Sequence, residues 1–217
     1  MKNIIIVGAG GFGREVFHWL EDWLDFYEAR RREFQIKGFF SLNENELDGF
    51  DMPVGILGHE NSYEIQKDDL FVMGVGQTAR KRKIAERLAE KGAELFTLVH
   101  PTAIVCPSAQ IGKGAVICPF ATVSSHVRFG DLVMLNAHAS VGHDCEVGDY
   151  CVLSGYANLN GYVTLESEVF LGTRATVVAS KKVGSQSRIS AHALVVSDVP
   201  ERTTVLSSAG RFIPNLN

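Results

Sequence analysis

VGHDCEVGDYCVLSGYANLNGYVTL, residues 141–165, carries an aliphatic residue at every sixth place: Val141, Val147, Leu153, Leu159 and Leu165. The beat extends both ways, from Val105, Ile111, Ile117, Val123, Phe129 and Leu135 before it to Leu171, Val177, Val183, Ile189 and Val195 after it. Two places before each stop the side chain is small or β-branched, as at Ala139, Cys145, Cys151, Ala157 and Val163, and only Lys181 breaks that column. Glycine follows the stop at 112, 130, 142, 148, 172 and 184, where a tight turn favours it. Chance does not hold such a beat through sixteen stops. A strict hexad is the mark of a parallel β-helix, in which short strands stack and bury one continuous core.

The pattern resembles the hexapeptide-repeat acyltransferases. That resemblance implies a left-handed β-helix with one triangular coil per three hexads. Residues 18 apart then stack at about the 4.8 Å spacing of neighbouring strands. His143, two places past a stop, falls in a turn and points outward, with Ser125 below and Gly161 above. Asp144 stacks over His126. His138 belongs to a second column with Phe120, Tyr156, Arg174 and His192, and Asn136 to the turn of the preceding hexad. An outward imidazole beside a carboxylate has the composition of an oriented general base. The competing reading is an exposed turn residue without a catalytic part. Cys145, in the small inward column, is a poor nucleophile because its thiol is buried.

Before residue 100 the grammar is different. Asn3–Val7, Gln35–Phe40, Leu70–Val75 and Glu94–Val99 read as buried strands, and Ala79–Lys91 as a helix. Another helix carries Val16, Phe17, Leu20, Trp23, Leu24 and Tyr27 at 3-4 spacing, and residues 43–58 read as loop or weak hairpin. Such alternation predicts a small parallel sheet flanked by helices. The expected division is an α/β, Rossmann-like domain at 1–100 and a β-helix domain with a carboxy-terminal tail at 101–217. Between the first strand and helix, Gly8-x-Gly10-x-x-Gly13 fits a phosphate-binding turn, with the helix N-terminus attracting the anion. An NAD site also wants an acid closing the second strand, and here that strand ends Phe39-Phe40-Ser41-Leu42, with no acid before Glu44. A nucleotide-sugar diphosphate suits the loop as well as a dinucleotide does.

The composition of the 217-residue chain is that of an ordinary globular protein. A net charge of −4 with no basic block argues against nucleic acid as a partner. No apolar run approaches the roughly 20 residues of a membrane span, and the opening MKNIIIVGAGGFG is too short in apolar residues for a signal peptide. A cytoplasmic address is expected. The four cysteines lack CxxC spacing, so neither a metal nor a redox pair is expected.

GAGGFG, VMGVGQTARKRK, the joint HPTAIV and NAHASVGHDCEVG together resemble the nucleotide-aminosugar acetyltransferases, a family that includes enzymes of bacillosamine and perosamine N-acetylation and has relatives read as sialic acid O-acetyltransferases. The resemblance implies a homotrimer using acetyl-CoA as co-substrate, for surface-polysaccharide biosynthesis. Its Asn-x6-His-(Glu/Asp)-Cys pattern falls on Asn136, His143, Asp144 and Cys145, making His143 the general base oriented by Asp144. It implies substrate contacts at Gly10, Gly11, Phe12, Ser41, Leu42, Gly76 and Gln77, with His138 as a further contact or alternative base. Coenzyme A contacts are implied at Val152, Thr173, Ala191 and, in the tail, Arg211. Many relatives carry His at the place of Phe12 and an Asp pair at the place of Ser41-Leu42, and some have His at the place of Val152. The expected reaction is N-acetylation of a nucleotide-linked amino-deoxysugar. O-acetylation of a sialic-acid-like sugar is the alternative within the class, and a non-catalytic nucleotide-binding trimeric scaffold the alternative outside it.

Overall fold

The computed structural model describes residues 1–27 and 29–208. Four parallel strands open the chain: β1 (Lys2–Val7), β2 (Phe34–Phe40), β3 (Asp69–Met73) and β4 (Glu94–Leu95), in spatial order β2-β1-β3-β4. Helix α1 (Gly11–Phe26) follows β1, a single helical turn α2 (Arg30–Glu33) precedes β2, and α3 (Thr78–Glu90) joins β3 to β4. The apolar run Ile4–Val7 and the residues Phe39, Phe40 and Phe71 are almost wholly buried, so this sheet has no solvent face. Helix α1 lays Val16, Phe17, Leu20 and Leu24 on it. Gly13 is obligatory where helix and strand meet, because a Cβ there would stand 1.9 Å from the Gly8 carbonyl oxygen. The strand order reverses at β1, and the turns after β1 and β3 therefore frame a crevice at the carboxyl ends of the strands.

The expected last strand, Glu94–Val99, is two strands. Glu94–Leu95 pairs with Leu70–Phe71, whereas Leu98–Val99 pairs with Val116–Ile117 and already belongs to the coil. Phe96 sits at the break, its N–H on the Phe71 carbonyl at 2.8 Å and its ring edge-on to Trp23. The chain thus passes between the two sheets without a linker.

From Leu98 to Val195, two-residue strands pair in parallel with strands 18 residues away, as Met134–Leu135 with Val152–Leu153, Ser140–Val141 with Asn158–Leu159, and Glu146–Val147 with Thr164–Leu165, and Thr204–Val205 then pairs with Arg188–Ile189. They make three sheets, of seven, six and four strands, around one core of stop residues and the small inward column. Side one holds Met134–Leu135, side two Ser140–Val141 and side three Glu146–Val147. Burying each aliphatic stop contributes roughly 1.5–3 kcal/mol.

Each turn from Phe120 to His192 sets a non-glycine residue in the left-handed region, among them Phe120, His126, His138, Asp144, Tyr156 and Tyr162, with φ between 58° and 61°. Each such residue costs roughly 1 kcal/mol, offset by a bond between coils: Asp144 N–H to Ser125 O at 3.0 Å, Tyr162 N–H to His143 O at 3.0 Å. The glycines that follow the stops have another reason. A Cβ on Gly142 would lie 2.7 Å from the Asn160 carbonyl carbon in the next coil, so stacking rather than dihedral freedom requires glycine there.

Side one is covered: Val116, Met134 and Val152 share a core with the first sheet and its helices. Lys81 of α3 is fully buried in that contact and donates to the carbonyls of Leu132 (2.7 Å) and Cys151 (3.2 Å). Burial pulls its pKa down to about 7. No helix among the described residues is long and apolar enough to cross a membrane.

Candidate functional site

Two cavities meet on the edge between side one and side two, and a third feature lies on the opposite edge of side two. The first is a cavity of about 260 Å³ in the crevice at the carboxyl ends of β1 and β3, lined by Gly8–Phe12, Phe40, Ser41, Glu46, Gly74–Gln77 and Arg80. Gly10 caps α1 in an extended conformation with no side chain over the helix end, so the first amides of α1 are open to an anion. Gly10, Gly11, Phe12, Ser41, Gly76 and Gln77 all line this cavity. Leu42 does not; it is 74% exposed.

A second cavity, of about 360 Å³, lies between the glycine turns and side one, lined by Phe12, Gly76, Gln77, Met134, Asn136, Val152, Ser154, Phe170 and Arg188. Phe12, Gly76 and Gln77 belong to both cavities, which makes them one continuous groove from the crevice to the coil. Asn136 stands in the turn from side one to side two and accepts from the Ala137 N–H at 2.8 Å, a bond that fixes its carboxamide. Thr173 and Ala191 lie in the same turn of later coils. His138, beside Asn136, is sandwiched between Phe120 and Tyr156 at ring separations of 5.0 and 4.7 Å and lines neither cavity. Arg174 continues that ladder, its guanidinium 4.7 Å over Tyr156.

The third feature is on the other edge of side two. His143 projects from the turn into side three, its side chain 55% exposed, with Nδ1 2.8 Å from Asp144 Oδ2. The left-handed backbone of Asp144, a residue type that tolerates it, turns the carboxylate back onto the ring. A carboxylate only accepts, so the neutral ring carries its proton on Nδ1 and leaves Nε2 as the free base. Tyr162 meets the ring edge-on at 5.1 Å. Gly161 makes room above: a Cβ there would fall 2.6 Å from His143 Cε1 and 2.7 Å from Nε2. Cys145, next in the chain, is buried and donates to Asn160 O at 3.0 Å, and burial raises its thiol pKa. Asn136 and His143 therefore occupy different corners of one chain. Arg211 lies outside the described residues.

Residues 3–88 match the family described as the PglD N-terminal domain. Among curated proteins, the UDP-N-acetylbacillosamine N-acetyltransferase of Bacillus subtilis (strain 168) is 32% identical over 117 residues, 54% of this chain and 51% of that protein. The GDP-perosamine N-acetyltransferase of Escherichia coli O157:H7 is 30% identical over 77 residues, 36% of this chain and 35% of that protein. The matched stretches thus span about half and about a third of those two relatives. A solved structure, the acetyltransferase domain of PglB from Neisseria gonorrhoeae FA1090 in complex with acetyl coenzyme A, superposes with a TM-score of 0.82 at 29% identity, covering 94% of this chain and 95% of that one. The chain is similar to nucleotide-sugar N-acetyltransferases.

Several groove residues escape a reading of motifs. Ser154, Phe170 and Arg188 line the second cavity because they face outward on side one or its corner, a position the hexad register gives without distinguishing it from any other outward position. Glu46 and Arg80 line the first. The acid missing from the end of β2 is supplied by Glu46, held by the Ser41 hydroxyl. Nothing in the polar stretch 43–50 marks that one glutamate.

Proposed function

We propose that the protein is an acetyl-CoA-dependent N-acetyltransferase acting on the amino group of a nucleotide-linked amino-deoxysugar. The observation that carries this reading is the pairing of a His143–Asp144 dyad on one corner of the coil with a groove that runs from a phosphate-binding glycine turn to Asn136 on the other. The nucleotide lies in the crevice and the sugar extends along Phe12, Gly76 and Gln77 toward Asn136. His143 Nε2 takes a proton from the attacking amine while Nδ1–H stays on Asp144. The amine nitrogen bonds to the thioester carbonyl carbon, a turn N–H holds the oxyanion, and the C–S bond breaks as the imidazolium returns its proton to the coenzyme thiolate.

Two corners of one chain cannot serve one reaction centre, so the reading includes a homotrimer of left-handed coils packed along side two. The outward row of that side, Ile104, Thr122, Ser140, Asn158, Thr176 and Leu194, bears no formal charge, and its ends Ile104 and Leu194 are 67% and 60% exposed. Side three instead presents Arg128, Glu146 and Lys182. Packing by side two carries the His143 corner of one chain to the Asn136 corner of the next, and covers an uncharged row by closed symmetry. Thr173 and Ala191, stacked on the Asn136 corner, then lie along the same seam as contacts for coenzyme A, with Val152 in the groove; His138 stands at the seam as a substrate contact. The division near residue 100 into nucleotide-sugar and acyl-transfer parts, and a cytoplasmic place of work, belong to the same reading.

Incubating the protein with acetyl-CoA and UDP- or GDP-linked amino-deoxysugars tests it. Amide product is expected, with turnover reduced about 10²- to 10⁴-fold in His143→Ala. Ester product on a hydroxyl sugar without amide sinks the N-acetyl assignment. Undiminished turnover in His143→Ala removes the dyad from the chemistry.

A further inference from the structure

Among the described residues, Glu46 is the one carboxylate lining the glycine-loop cavity, and its setting is specific. Ser41, the first residue past β2, is nearly buried and donates its hydroxyl to Glu46 Oε2. The Ser41 oxygen in turn accepts the Asn43 N–H at 3.1 Å, while Glu46 N–H reaches Asn43 O at 3.2 Å. A short loop is thereby folded back so that a carboxylate stands at the end of the second strand, although the chain places no acid there. The other oxygen, Oε1, faces the glycine turn, 3.6 Å from where a Cβ of Gly10 would be. Among the described residues, Glu46 has no cationic partner.

Resting on the nucleotide-sugar reading above, we propose that Glu46 is a specificity-determining residue that accepts the vicinal 2′- and 3′-hydroxyls of the nucleotide ribose. The protein then works on ribonucleoside diphosphate sugars in preference to 2′-deoxyribonucleoside ones. The chemistry selects a diol. A phosphate or any further anion is repelled by the carboxylate, which stands beside the amino end of α1 and leaves that end to the diphosphate. The reactive amine of the sugar belongs at the far end of the groove, beside Asn136. A neutral donor pair one step from the diphosphate is what remains, and two hydroxyls match the lone pairs of Oε1 and the remaining ones of Oε2. Ser41 acts through Glu46 as a positioning residue.

The experiment is calorimetric titration of the full chain with four ligands: UDP, 2′-deoxy-UDP, GDP and 2′-deoxy-GDP. Each ribonucleotide is expected to bind at least about tenfold more tightly than its deoxy partner, as a charge-assisted hydrogen bond implies. In Glu46→Ala the ratio falls to within about twofold for both bases, with ribonucleotide affinity dropping more than deoxynucleotide affinity because the deoxy forms lose the 3′-hydroxyl contact alone. Ser41→Ala lowers it part of the way. Equal binding of ribo and deoxy forms to the parent protein overturns the assignment and leaves the acetyltransferase reading intact, and so does a ratio unchanged in Glu46→Ala. A loss confined to GDP and 2′-deoxy-GDP alike overturns it too, since Glu46 then reads the guanine edge. Failure of all four to bind overturns the nucleotide reading itself and this assignment with it.

Discussion

At the residue scale, the imidazole of His143 is placed by three neighbours with separable roles: Asp144 fixes its tautomer, Tyr162 its plane and Gly161 the space above it. Gly161→Ala tests placement alone. A methyl group there displaces the ring, and a shift of about 1 Å costs on the order of 100-fold in turnover, with the melting temperature nearly unchanged because the ring is half exposed. Asp144→Asn keeps the shape and removes the anion. It is expected to lower kcat more than KM, since the amide no longer stabilises the imidazolium formed during transfer. An unchanged kcat in steady-state assays of both variants contradicts the dyad. His143 and Asp144 were legible because an unbroken register fixes which residues face outward. Glu46 was not, since no period governs a loop and only the folded Ser41 bond singles it out.

The element scale turns on α3, whose buried Lys81 joins the first sheet to the coil. Its folded pKa, about 7 against an ordinary 10.5, means that the unfolded chain binds more protons between those values. Stability from this group therefore rises as pH climbs above 7, and the penalty of burying the charge is fully present below it. Thermal melts between pH 7 and the ordinary thiol range near 9, where the buried Cys118 and Cys151 begin to contribute oppositely, should show that rise. Lys81→Met is expected to abolish the rise and to cost about 1–3 kcal/mol by stripping donors from buried carbonyls. A slope that survives in Lys81→Met assigns it elsewhere. In the coil, Leu153→Ala should cost about 2–5 kcal/mol, read by denaturant unfolding, because its side chain is wholly buried in the shared core. The hexads announced that core from the sequence, yet two features of the elements did not show there. The left-handed turn residues are of every type, from Phe120 to Asp144, so composition cannot mark them. The break at Phe96–Thr97 hides within an apolar run that reads as one strand.

For the whole molecule, the decisive relation is between corners. Side two separates the Asn136 corner from the His143 corner, and the groove ends at the former. The periodicity told which residues leave the coil and at which turn, but not which sides are taken; the first sheet covers side one and charge occupies side three, and the proposed packing along side two rests on that difference. The direct measurement is activity in mixed assemblies of His143→Ala and Asn136→Ala chains, co-expressed and purified through separate tags. Each variant alone is expected to be strongly impaired, while mixed assemblies recover amide formation, up to about a third of the parent rate, because one seam of each mixed trimer then joins an intact His143 to an intact Asn136. Mixed assemblies no more active than the separate variants would contradict a reaction centre shared between neighbouring chains.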